Sequence, residues 1–262
     1  MRVKFAIAIA YLFIAVVTLF QPVQARAQEL VLYFPFEGRD NTKIVEDKSG
    51  KNNHGKFDNG KAKRVVSKDK PFGKAMQFDK SRVIIKESKS LTDMSKISFA
   101  LWVNKSTETG GNGLLPRIIS RAQDQHELAM DSGHMQKGNF AVYARGITGW
   151  NKGMPVKEKQ WHHIAVTYDG KVFDMYLDGK LQDDYQIKAP GKLALAGPIY
   201  VGSRHTGLGE DYLGLVDELA IYSGLLKAKK IKEIIENGVL DQFAVEAKRK
   251  LATTWGSLKL FK

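Results

Sequence analysis

The chain has 262 residues, 43% of them hydrophobic and 26% charged, and it contains no cysteine. That composition excludes a disordered tail protein, a disulfide-stapled miniprotein and a zinc–cysteine scaffold. With 41 Lys and Arg against 28 Asp and Glu the formal charge is +13, which favours acidic partners but does not indicate an enzyme.

Residues 1–27 read as a secretory signal. Arg2 and Lys4 supply a positive start, Ala6 to Phe20 is an uninterrupted apolar run, and Ala25-Arg26-Ala27 offers small residues where a signal peptidase cuts. The run is shorter than the roughly 20 residues of a spanning helix. The mature protein is therefore expected to be secreted or periplasmic, with no transmembrane anchor after cleavage. Losing Arg2, Lys4 and Arg26 would lower the charge from +13 to +10.

From Glu29 onward short strands follow one another. Runs at Leu30–Phe36, Lys74–Asp79, Arg82–Lys86, Ile97–Asn104, Arg117–Arg121, Glu127–Asp131 and Asn139–Arg145 come first. His162–Tyr168, Val172–Leu177, Asp184–Lys188, Ile199–Ser203 and Leu213–Tyr222 complete the series. Asp169-Gly170 and Asp178-Gly179 are hairpin signals, and Asn53-His54-Gly55, Asn59-Gly60 and Gly110-Gly111-Asn112-Gly113 mark loops. Alternation puts Trp161, His163, Ala165 and Thr167 on one face of their strand and His162, Ile164, Val166 and Tyr168 on the other. Leu226, Ile231, Ile234 and Ile235 form an apolar stripe that predicts a helix within 225–238, stopped by Asn237-Gly238. Residues 241–262 form a basic tail with Lys248-Arg249-Lys250 and Trp255.

Four ordered blocks carry a family likeness. They are Phe36-Glu37-Gly38 with Asp47-Lys48-Ser49-Gly50; Gly73–Asp79 with Ile97–Val103; Trp161–Gly170 with Tyr176-Leu177-Asp178-Gly179; and Tyr200-Val201-Gly202 with Gly214–Tyr222. In these the chain resembles the laminin G-like jelly-roll domains of the concanavalin A-like lectin/glucanase superfamily, over about residues 29–240. The resemblance implies an all-β fold: a two-sheet antiparallel jelly-roll sandwich with one short C-terminal helix. The expected organisation is signal peptide 1–27, jelly-roll domain 28–240 and basic C-terminal tail 241–262. Such architectures serve lectins, enzymes and adhesion modules alike, so function has to come from the site.

Calcium needs several oxygen ligands on tight loops. Glu37, Asp47 and Asn53 are candidates in the first loop, and the resemblance adds Asp217 of the late Asp217-Glu218 pair, with Asp47 and Asp217 the principal ligands it implies. Turn-capping is the alternative reading of the same residues. A sugar site needs a flat aromatic ring and polar groups for hydroxyls. Trp150 and Asn151 in the Gly146–Gly153 loop are candidates, joined by Arg121, His126, Arg145, Arg204, His205 and Tyr212 at strand ends or connections.

Glycoside hydrolysis needs two carboxylates flanking the scissile bond. Glu210-Asp211 and Asp217-Glu218 lack the alternating spacing that glucanases of this fold use, and no serine–histidine–aspartate context occurs. His162-His163 point to opposite faces of one strand. No catalytic residue is expected. Nucleic acid is not an expected partner, because no aromatic–basic motif appears. The expectation is an exported, non-catalytic module that recognises carbohydrate or another, anionic, extracellular polymer with a rim calcium ion. A structural or adhesion module contacting protein is the alternative, and a glycoside hydrolase a more distant one.

Overall fold

The computed structural model describes residues 28–38, 43–58, 62–66, 73–106, 116–123, 126–131, 139–149, 151–205 and 210–240. The signal segment, the basic tail and Trp150 lie outside the described residues. Two antiparallel sheets stack face to face. The first contains β1 (Glu29–Phe34), β4 (Lys63–Val66), β5 (Lys74–Phe78), β7 (Ile97–Lys105), β12 (Trp161–Tyr168), β13 (Val172–Leu177), β14 (Lys180–Leu181), β15 (Ile187–Lys188) and β17 (Gly214–Ser223). Its order is β14-β13-β12-β7-β17-β5-β4, with β1 on β17 and β15 on β13. The second contains β2 (Ile44–Val45), β3 (Gly55–Asp58), β6 (Arg82–Ile85), β8 (Arg117–Gln123), β9 (His126–Asp131), β10 (Asn139–Ala144), β11 (Met154–Pro155) and β16 (Ile199–Val201). Its order is β11-β10-β9-β8-β16-β6-β3-β2. This is the expected jelly-roll sandwich.

Alternate residues of both sheets fill the space between them. Phe99, Leu101 and Val103 of β7 meet Ile164 and Val166 of β12 and Val216 of β17, against Val83, Ile85, Ile199, Val201, Phe140 and Val142 of the second sheet. Each such side chain contributes about 1.5–3 kcal/mol on burial. Both Asp-Gly hairpins form: the Asp169 Oδ1 accepts from Lys171 N at 2.8 Å and Val172 N at 2.9 Å, and Asp178 and Gly179 sit at φ 49° and 77°. Asp184–Lys188 departs from expectation. Asp183–Tyr185 is a 3-10 turn and only Ile187–Lys188 pairs as strand, because none of Asp183, Asp184 or Tyr185 is buried to anchor a ladder.

The outer face of the first sheet carries a second, smaller core. Ala165, Ala100 and Ala220 stand side by side across β12, β7 and β17. Their lack of bulk makes room for α2 (Ala228–Asn237), whose Ile231 and Ile234 are buried against them together with Tyr33, Tyr176, Tyr222 and Leu226. The helix ends where Gly238, at φ 80°, donates its N–H to Ile234 O at 2.9 Å. A shorter helix, α1 (Lys89–Thr92), buries Leu91. No helix among the described residues is long and apolar enough to cross a membrane.

Candidate functional site

The strand register of the second sheet lines up one row on its outer face: Tyr143 of β10, Ser120 of β8, Tyr200 of β16, Ile84 of β6, Lys56 of β3 and Ile44 of β2. Tyr200 points outward because its neighbours Ile199 and Val201 are committed to the core. Arg82, one alternation along β6, lays its guanidinium 5.2 Å from the centre of the Tyr200 ring. Its Nε donates to Asp58 Oδ2 at 2.8 Å, and its Nη1 donates to Arg204 O at 3.1 Å, tying the loop after β16 down onto the sheet. His205 stands with its ring centre 6.5 Å from that of Tyr200. Glu210 closes the same corner. It lies 3.2 Å from Arg204 Nη1 and 3.8 Å from Arg117 Nη2, while Arg117 N donates to its backbone oxygen at 3.0 Å.

The corner therefore presents an aromatic face, an imidazole and guanidinium groups whose charge Asp58 and Glu210 largely offset. Planar donors and acceptors around an aromatic ring suit hydroxyl-rich ligands, since such groups give orientation without requiring a charged partner. Arg204 and His205 were legible in the sequence. Tyr200, Arg82 and Asp58 were not, because Tyr200 lies more than 100 positions from the other two and all three meet only through the β16–β6–β3 pairing. The one available signal was a lone aromatic flanked by core residues in Ile199-Tyr200-Val201.

Of the other sugar-site candidates, those that are described fall elsewhere. Arg121 is almost fully buried, donating from Nη1 to Leu91 O at 2.6 Å and from Nε to Ala196 O at 3.2 Å; burial lowers its pKa from 12.5 to about 10. It clamps α1 and the segment before β16 to the sandwich. Tyr212 is core: its hydroxyl donates to Leu215 O at 3.2 Å, and burial raises its pKa. Asn151 staples its own loop, donating to Val142 O at 2.7 Å and accepting from Gly153 N at 3.1 Å. Arg145 is exposed in the turn after β10. His126 opens β9, and its side chain lies outside the described set, as does Trp150.

The calcium candidates are drawn into hydrogen bonds with the surrounding protein. Asp47 Oδ1 accepts from Tyr33 N and Ser49 N, each at 2.9 Å, and Oδ2 accepts from Ser49 Oγ and Asn53 N, each at 2.8 Å. Asn53 donates to Val31 O at 2.7 Å and accepts from Ser88 Oγ at 2.6 Å. Asp47 and Asn53 do not fit a calcium role in this arrangement, because protein donors already occupy their oxygens; they fasten the first loop to β1. Glu37 accepts from Lys74 N at 2.9 Å. Asp217 is fully buried and accepts from Glu218 N at 2.8 Å, inside a bulge where Glu218 adopts φ 51°. Glu218 in turn takes the Tyr33 hydroxyl at 2.9 Å, and burial together with that carboxylate raises the Tyr33 pKa. No three His, Asp or Glu side chains converge among the described residues.

A family model described as concanavalin A-like lectin/glucanases superfamily matches residues 79–232, more than half of the chain. The chain belongs to that superfamily. Solved structures of this superfamily fold lie at low identity. Domain 4 of a GH43 extracellular arabinanase from Geobacillus stearothermophilus, in complex with arabinotriose, superposes with a TM-score of 0.62 at 20% identity, covering 79% of this chain and 98% of that one. The receptor binding domain of botulinum neurotoxin D gives 0.58 at 12% identity, covering 79% and 52%. The binding domain of botulinum neurotoxin DC, in complex with SialylT, gives 0.56 at 15%, covering 80% and 51%. This superfamily chain thus spans about half the length of those toxin domains. A search of curated proteins returned no match.

Proposed function

We propose that this superfamily member is an exported, non-catalytic module that binds carbohydrate or another extracellular polymer through the Tyr200 corner of its second sheet. The observation that carries this reading is the Tyr200 ring flanked by Arg82 and His205 on an outward face. Structures of the same fold that hold arabinotriose or SialylT support a glycan as the ligand class. The acidic pairs support the non-catalytic part. Glu210 is engaged by two arginines, and Asp217 and Glu218 are at most 5% exposed, so neither pair offers two carboxylates to an open cleft. Export rests on the signal-like residues 1–27.

A glycan array probed with the purified chain, followed by titration of arabinotriose and of the strongest array ligand, tests the proposal. Tyr200→Ala should weaken binding about tenfold, the effect of one lost stacking contact. Undiminished glycan binding by Tyr200→Ala would remove the corner from the site.

A further inference from the structure

Among the described residues, one end of the first sheet has no element packed over it. α2 and its small core occupy the alanine row, but two alternations away another row crosses five strands: Trp161 of β12, Asn104 of β7, Leu215 of β17, Gln77 of β5 and Lys63 of β4. All five face the α2 side of the sheet, since Ile164, Val103, Val216 and Met76 beside them are turned into the sandwich core. Trp161, Asn104, Leu215 and Gln77 are each partly exposed, and Lys63 is exposed. At the usual spacing between strands the row spans about 19 Å. Asn104, Leu215 and Gln77 line an open groove of about 470 Å³, which Lys159 flanks at the β12 end. Lys159 is fixed there at φ 58° by donating its N–H to Lys105 O at 2.7 Å.

We infer that this groove is a second binding site, distinct from the Tyr200 corner and on the opposite sheet, for an extended strand of acidic polysaccharide. A flat groove running across strands matches an extended chain better than a single small ligand. Two side-chain amides, each both donor and acceptor, read hydroxyls, and Trp161 and Leu215 supply apolar area for ring faces. Charge selects the acidic class. Lys63 and Lys159 stand at the two ends of the row, and Asp79 is the one carboxylate among the described lining residues. The chain as a whole carries +13. Carboxylates along a uronate chain would meet the terminal lysines while the amides and Trp161 hold the sugar rings between them.

The full-length protein should be run by affinity electrophoresis in gels containing polygalacturonate, alginate or, as the neutral control, dextran. Retardation by at least one acidic polymer and not by dextran is expected. The Gln77→Ala/Asn104→Ala double variant and, separately, Trp161→Ala should each weaken it about tenfold. Lys63→Gln/Lys159→Gln should flatten its salt dependence, and Lys188→Gln, at an exposed lysine of β15 outside the row, should leave it unchanged. Thermal unfolding of each variant separates lost binding from lost folding, and the exposed Lys63 and partly exposed Gln77 keep the test alive if Trp161→Ala fails to fold. No retardation by either acidic polymer overturns the inference. So does retardation that survives the amide variants but falls with Lys229→Gln/Lys232→Gln on α2, which would mark a diffuse basic surface. Loss on Tyr200→Ala alone would overturn the groove while leaving the corner intact.

Discussion

The fold moves the titration of His163 far from its ordinary range. It is completely buried on the α2 side of the first sheet, with the Trp102 ring edge-on at 5.4 Å between centroids and 76° between planes. Neither ring nitrogen has a hydrogen-bond partner, although Asp178 Oδ1 takes the residue's backbone N–H at 2.8 Å. Burial without a partner for the charged form lowers the pKa from 6.5 to about 3, only partly opposed by the Asp178 carboxylate. The sign follows directly. Above pH 6.5 the imidazole is neutral in both folded and unfolded chains, and it contributes no pH dependence. As pH falls below 6.5 the unfolded chain takes up a proton that the folded chain refuses, so stability is lost progressively until the pH approaches 3. At pH 4.5, two units below the unfolded value, the loss is about 2.7 kcal/mol. Urea unfolding at pH 7 and at pH 4.5, on the wild type and His163→Phe, isolates it. Carboxylates elsewhere titrate in both proteins and cancel in the comparison. The variant should lose about 2.7 kcal/mol less than the wild type between the two pH values, whatever its stability at pH 7. Parallel pH profiles would refute the reasoning, as would an imidazole resonance of the folded wild type that titrates near 6.5 and is missing from His163→Phe.

Two further perturbations test the local construction. Asp47→Ala removes four hydrogen bonds, one to β1 and three within the first loop, and strands the buried Tyr33 N–H, so a loss of about 3 kcal/mol is expected. That loss should be equal in calcium and in chelator by thermal unfolding, and a loss confined to calcium would restore a metal role for the loop. At Gly202, held at φ 93°, an added Cβ would sit 2.3 Å from Phe78 Cδ1 in the core, so Gly202→Ala should cost about 3 kcal/mol. Gly170→Ala, at φ 100° with nothing within 4 Å of its Cβ, should cost about 1 kcal/mol, and equal losses at the two positions would show that backbone conformation alone is responsible.

Periodicity and turn chemistry revealed most of the sandwich because both are local. Alternation in Trp161–Tyr168 separates a core face from an outer face within eight residues, and Asp178-Gly179 announces its own hairpin. Strands with few core residues escape that signal. Gly55–Asp58 and Lys63–Val66 are four residues each and mix lysine, arginine and aspartate with their apolar positions, so they become strands only because β6 and β5 offer them free edges. The C-terminal helix was visible in its isoleucine stripe. Its seat was not, since three single alanines from three strands carry no local mark.

The same distinction governs the sites. Arg121 and Tyr212 have the right chemistry for a ligand, yet each is consumed by backbone carbonyls, Leu91 and Ala196 for the arginine and Leu215 for the tyrosine. Residue type cannot separate a binding arginine from a clamping one; burial does. Conversely, Asn104, Leu215 and Gln77 look unremarkable in three separate strands, and register alone sets them shoulder to shoulder beside Trp161. The helix then decides which rows remain open. By packing on the alanine row it seals one end of the sheet and, among the described residues, leaves the tryptophan row partly exposed, so the C-terminal helix that completes the core also defines the boundary of the groove.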